Sequence, residues 1–223
     1  MMPFDAQQII QAISVWGIPV LLAITLHEAA HGYVARLNGD STAWMLGRVT
    51  LNPFKHIDIF GTVLLPLVLV VMSLPIIGYA KPVPVNFSKL TRPRLGQILV
   101  AAAGPAATLL LVFISIGLTY LALVLPPYWG EFLIEVAWAS VQINLLLMVL
   151  NMLPILPLDG GRILEALLPG NIGYLYGRTE RYGMIIILFL VFTQVLFKII
   201  VPIMALTLYL LSGFFPAEFN IGY

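Results

Sequence analysis

Two histidines four residues apart, with a glutamate beside the first, form the most chemically pointed stretch of the chain: His27-Glu-Ala-Ala-His31. On a helix, positions i and i+4 share a face, so both imidazoles can approach one ion while Glu28 lies alongside. Zinc held in this way lowers the pKa of its water to ~7, and a neighbouring carboxylate can take that water's proton. The chemistry such a set supports is metal-assisted hydrolysis with Glu28 as general base. The plainer reading is a hydrogen-bonded structural cluster. Ionisable groups inside an apolar segment are costly to keep, which weighs against it.

Two histidines do not complete a catalytic zinc site, which takes three protein ligands and keeps one position open. The 223 residues include no cysteine, so there is no disulfide or catalytic thiol, and any ligand is nitrogen or oxygen. Asp159, in Asn151-Met-Leu-Pro-Ile-Leu-Pro-Leu-Asp-Gly-Gly-Arg162, is the leading candidate for the third ligand. Pro154 and Pro157 break a helix there, and Gly160 and Gly161 permit close backbone approach. Asp159 could equally cap a helix running from Arg162 to Leu168, and the residues alone leave both readings open. His56 is the rival ligand, although its place beside Lys55, ahead of an apolar segment, suits an interfacial side chain.

The elements that must position these groups are membrane elements. Hydrophobic residues make up 61% of the chain and charged ones 9%, and the mean hydropathy is +1.01. Soluble domains run at roughly 45–50% apolar and about 25% charged. The net charge of +1 comes from few and scattered basic residues and gives no sign of a nucleic-acid surface. Residues Met1 to Gln11 carry no basic n-region and no cleavage site follows, so the first apolar stretch reads as a retained helix. The length fits a single membrane-embedded domain over residues 1–223.

Apolar stretches of ~20 residues mark the expected spans. They run from Ile9 to Leu37, Ile57 to Ile77 (broken by Pro66 and Pro75), Leu95 to Leu125, Phe132 to Leu153, and Tyr182 to Ser212. The last would be about 45 Å long, so it must tilt, kink near Pro202, or divide around Lys198. Arg36, Arg48 and Lys55 after the first span, and Arg162, Arg178 and Arg181 after the fourth, put both ends on the cytoplasmic side. Lys81, Lys89, Arg92 and Arg94 belong there too. A simple crossing by Ile57 to Ile77 would place them outside, so that segment either re-enters or crosses and returns in extended form. Non-helical backbone at that depth must face protein or a water-filled cavity. Gly78-Tyr-Ala-Lys-Pro-Val-Pro-Val-Asn86 fits an edge strand, since prolines at alternate positions leave one side able to pair. A proline-rich connecting loop fits equally well. The fold class is therefore an all-α polytopic bundle of four to six spans, with a short re-entrant β or extended segment near the site.

In this order, His27 to His31, the Ala103-Gly104-Pro105 turn and Pro157-Leu-Asp-Gly-Gly-Arg162 resemble the site-2 protease family of intramembrane metalloproteases. The resemblance covers about Leu21 to Leu168, and it is closest to compact bacterial or archaeal members without PDZ or CBS modules. It implies one zinc ion per chain held by His27, His31 and Asp159, with Glu28 as base. It also implies that Asn151 bonds the substrate backbone, and that the edge around Val83, Val85 and Asn86 pairs with an unwound substrate. Gly104 and Pro105 read as a tight helix contact that shapes the site. Where many members carry Asn a few residues after Gly-Pro, this chain has Thr108.

The expected function is an intramembrane zinc metalloendopeptidase in a multi-pass cell-membrane protein, its active site toward the cytoplasm. Its partners would be a transmembrane protein substrate and the bilayer, with no nucleic acid; the sequence leaves the oligomeric state open. Two alternatives are weighed against this. A transporter or proton pathway would more often show internal repeats, and a non-catalytic scaffold would lack one of the four site residues.

Overall fold

A computed structural model describes residues 6–64 and 80–217. Eight α-helices lie among the described residues: α1 (Ala6–Leu37), α2 (Thr42–Met45), α3 (Pro93–Ala122), α4 (Pro127–Asn151), α5 (Asp159–Leu167), α6 (Gly170–Gly177), α7 (Glu180–Phe192) and α8 (Val195–Leu211). Four stretches are long and apolar enough to cross a membrane: Ile10–Leu37, Pro93–Ala122, Pro127–Asn151 and Val195–Phe214. Along α8 large apolar side chains such as Val201, Leu206 and Tyr209 face outward, as a lipid solvent requires.

The helix ends follow from local chemistry. Proline occupies the first turn of both α3 and α4, where its missing N–H costs nothing. Helix α1 stops at Asn38-Gly39-Asp40. Gly39 takes φ +105°, its N–H donates to the Arg36 carbonyl at 3.1 Å, and the Asp40 N–H donates to the Ala35 carbonyl at 2.9 Å. This pair of bonds is the Schellman arrangement, which closes a helix through a left-handed residue.

Helix α4 packs along α3, and α1 lies against both. Val112 and Ile116 of α3, Val141 and Leu145 of α4, and Leu211 of α8 form one apolar cluster. A second joins Val149 of α4 to Ile187 and Val191 of α7 and to Leu196 and Ile200 of α8. The long final apolar stretch divides in two, but at Gln194 (φ 60°) and not at Lys198. Pro202 sits within α8 without ending it.

The expected second span, Ile57 to Ile77, is described only through a π-helical turn at Ile59–Leu64. Its prolines, and whether it crosses or re-enters, lie outside the described residues. Of the segment expected as an edge strand, Gly78 and Tyr79 also lie outside. Residues 80–86 form neither helix nor strand, and no strand occurs among the described residues. The reason is visible in the donors. Pro82 and Pro84 have no N–H, and the N–H groups of Lys81, Val83 and Asn86 go to the His56 carbonyl, Glu28 and Asp40.

Candidate metal centre

The His-Glu-x-x-His stretch sits on α1, well inside an apolar helix, and its two imidazoles converge. Their Nε2 atoms are 3.1 Å apart. The His31 ring is aimed by its other nitrogen, which lies 2.7 Å from the Val100 carbonyl of α3. The Nδ1–H must donate to that oxygen, so Nε2 carries the lone pair.

Asp159 arrives from a different helix, α5, just beyond the end of α4. Helix α4 stops at Asn151, and the chain turns through Pro154 and Pro157 before α5 begins. The two glycines that follow Asp159 are sterically required. A Cβ on Gly160 would lie 2.2 Å from the Met152 carbonyl oxygen, and one on Gly161 would lie 2.6 Å from the Ile155 carbonyl carbon. With α5 seated this closely, Asp159 Oδ2 reaches to 3.2 Å from His27 Nε2, and Oδ1 to 3.4 Å from His31 Nε2. The capping alternative for Asp159 is not what forms: Leu158 holds the N-cap position, with no side-chain cap bond. Helix α5 is fixed further along by Gln97 of α3, whose Nε2 donates to the Arg162 carbonyl at 3.0 Å and to Glu165 Oε2 at 2.9 Å. Arg162 in turn pairs with Glu165 and with Glu180 of α7.

Gly104 supplies the third side. A Cβ there would stand 2.5 Å from both His27 Cε1 and His31 Nε2, so α3 can meet the histidines only as glycine. Gly104 and Pro105 lie within helix α3 and not in a turn, and they form the tight contact expected from the sequence. Thr108 is fully buried, and its hydroxyl donates to the Pro105 carbonyl at 2.9 Å within the same helix.

The donor set fits a zinc ion. Two ligands at ~2.05 Å in a tetrahedral arrangement stand roughly 3.3 Å apart, and the three distances here are 3.1, 3.2 and 3.4 Å. His27, His31 and Asp159 are the group among the described residues whose ligand atoms lie close enough to share an ion. His56 is not in it: its ring is buried and bonds the Thr50 carbonyl at 3.0 Å.

Similarity to known proteins agrees with this geometry. The family model "Peptidase family M50" matches residues 127–194. The chain is 39% identical over 183 residues to "Putative zinc metalloprotease YwhC" of Bacillus subtilis, covering 79% of each protein. It is 29% identical over 180 residues to "Putative zinc metalloprotease Rip2" of Mycolicibacterium smegmatis, covering 79% of this chain and 66% of that protein. The chain belongs to peptidase family M50. It is a zinc metalloprotease with the membrane-spanning helices of the site-2 protease family. No solved structure matches it.

Around this M50 centre, Glu28 is half-buried and its Oε2 accepts the Val83 N–H at 2.8 Å. Val83 is itself buried, its side chain seated over Gly32. Val85 packs on the cluster of Ala35, Leu90 and Val100. Asn86 is exposed, and its side-chain oxygen accepts from the N–H and hydroxyl of Ser88, capping a single helical turn. The Asn151 amide donates back to the Leu147 carbonyl at 2.9 Å. Asp40, Gly32 and Gln97 went unnoticed in the sequence, and Arg48 was read only as a marker of the cytoplasmic side. The Asn-Gly-Asp helix stop was the signal that would have singled out Asp40.

Proposed function

We propose that this chain hydrolyses peptide bonds within or near transmembrane segments of membrane proteins, with His27, His31 and Asp159 holding one zinc ion and Glu28 acting as general base. The observation that carries the reading is that the Nε2 atoms of His27 and His31, on an apolar, membrane-length helix, are met by the Asp159 carboxylate of α5 at 3.2 and 3.4 Å. Bound zinc would supply a Lewis acid for the scissile carbonyl and an acidified water.

The chain's own groups do the rest. Glu28 takes the proton of the attacking water and returns it to the leaving amine. Val83 N–H holds one oxygen of that carboxylate, and Val100 holds His31 in its tautomer. A helical peptide bond is shielded by its own turn, so the substrate unwinds before it is cut. The non-helical stretch around Val83, Val85 and Asn86 is the nearest backbone that such a strand could meet, with the Asn151 side-chain oxygen as a further acceptor. The basic residues at the metal-bearing end of the bundle support a multi-pass protein of the cell membrane whose centre faces the cytoplasm.

The test is a Glu28→Gln substitution in the full chain, reconstituted in liposomes with a single-span reporter whose apolar segment carries a Gly-Pro break. Cleavage by the wild type and loss of it in the variant, at equal zinc content, is the expected result. Undiminished cleavage by Glu28→Gln would sink the mechanism.

A further inference from the structure

Three contacts fasten residues 81–86 to the chain around the end of α1. In the middle, Val83 N–H donates to Glu28 Oε2 at 2.8 Å. At one end Asn86 N–H donates to Asp40 Oδ2 at 2.7 Å. At the other, Arg48 Nη2 donates to the carbonyls of Lys81 at 2.9 Å and Pro82 at 3.3 Å. The side chain of Val83 has a fitted seat between them. A Cβ on Gly32 would stand 3.0 Å from Val83 Cγ1 and 2.7 Å from Val49 Cγ2. Gly32 lies one turn beyond Glu28 on α1, so the same helical face bears both the seat and the carboxylate.

Asp40 is the unusual member. It is fully buried, which is costly for a carboxylate unless it is well bonded. Its oxygens accept from the N–H and hydroxyl of Thr42 as well as from Asn86. Its place is set by the Schellman stop of α1, the helix that carries His27, Glu28 and His31. A rigid path therefore runs from the metal-bearing helix, through Asp40, to the segment that touches the base. Arg48 closes the path from the far side, and Lys81 N–H adds a bond to the His56 carbonyl at 2.9 Å.

We infer that Asp40 and Arg48 are positioning residues for Glu28. By holding residues 81–86 at both ends they keep Val83 N–H on Oε2, which fixes the orientation of the carboxylate and leaves Oε1 to take the proton. This deepens the hydrolytic reading above and rests on it. Misplacement of a reacting group by ~1 Å can cost on the order of a hundredfold in rate, so loss of either clamp should lower kcat about tenfold to a hundredfold, beyond any change in KM from the substrate contacts of the same segment.

The experiment uses the full zinc-loaded chain in nanodiscs, with hydrogen exchange read on a peptide covering residues 81–86 and kinetics read on the Gly-Pro reporter. Because Pro82 and Pro84 have no amide, only Lys81, Val83, Val85 and Asn86 report. Glu28→Ala should speed exchange in this segment with zinc retained. Asp40→Ala and Arg48→Ala should speed exchange and lower kcat at saturating substrate, with zinc content unchanged. Arg48→Lys, which keeps a donor, should recover most of the rate; Asp40→Asn covers the case in which Asp40→Ala does not fold. The inference is overturned if kcat is unchanged while exchange accelerates, if zinc is lost in step with kcat, or if Glu28→Ala leaves exchange unaltered. The exchange arm needs no cleavage, so it reads the clamp even where Glu28→Gln has refuted the hydrolytic reading.

Discussion

Gly104→Ala is the sharpest probe of how α3 meets the metal centre. The added Cβ would lie 2.5 Å from His31 Nε2 and His27 Cε1, and 2.7 Å from His27 Nε2. Ordinary van der Waals contact starts at 3.4 Å, so helix or rings must give by about 0.9 Å. Neither yields easily. The His31 ring is held by Val100 on α3 itself, only four residues from Gly104. Overpacking of this kind costs about 1–3 kcal/mol, and here the displaced atoms are the proposed ligand atoms. At 1.4 kcal/mol per factor of ten, zinc affinity should fall by about 5- to 150-fold. Competition with a chelator on the purified protein reads this directly, and Gly117→Ala on the same helix is the control, since nothing lies within 4 Å of its Cβ position. A folded Gly104→Ala protein that binds zinc as tightly as the Gly117→Ala control would refute the close approach of α3 to the two histidines.

Further outcomes follow from the same contacts. Asp159→Asn keeps the shape but removes the charge between the two Nε2 atoms, and metal analysis after dialysis should show zinc falling well below one per chain. Thr108→Val removes a hydroxyl that bonds only its own helix; thermal unfolding should show a loss of about 1 kcal/mol, and zinc content should stay unchanged. Burial works to raise the Asp40 carboxyl, but the bonds from Thr42 and Asn86, with Lys89 nearby, outweigh it and hold the group below its ordinary range. Its contribution to stability is therefore complete above the unfolded value near 3.9 and is lost as pH falls through the lower folded value. The difference in Tm between wild type and Asp40→Asn should accordingly narrow below about pH 4.

Much of this was legible because apolar periodicity and chemical motifs are local signals. The spans that became α1, α3 and α4 stand out as unbroken apolar runs, and His27, Glu28 and His31 declare themselves by spacing within one helix. Asp159 was harder, since a carboxylate before Gly-Gly is as good a helix cap as a ligand, and only the fold decides between them. What the glycines beside Asp159 accommodate, the carbonyls of Met152 and Ile155, is backbone from the preceding turn and invisible in a one-dimensional pattern. The break at Gln194 was missed for a related reason: a left-handed residue that is not glycine carries no compositional mark. That residues 80–86 form a loop and not a strand could not be decided from the sequence, because their donors are spent in part on side chains distant in sequence, Glu28 and Asp40.

The centre also explains how three ionisable groups are kept in so apolar a chain. Glu28 is bonded, and Asp159 is presented, by a segment whose regular structure is interrupted, whereas His31 is bonded by a carbonyl of the continuous helix α3. Val100 offers its carbonyl to His31 from within α3, which continues through Pro105. Val83 offers its N–H to Glu28 from between two prolines. Asp159 reaches both histidines from a turn closed by Pro154 and Pro157 and seated by Gly160 and Gly161. In a bilayer an unpaired polar group costs several kcal/mol, so the polar atoms of such a site need partners, and the glycine and proline positions that bring Gly104, Val83 and Asp159 close are part of its construction. Interrupted backbone is therefore a condition for the chemistry in two places: it supplies the Val83 N–H that holds Glu28, and the turn that brings Asp159 to the two histidines.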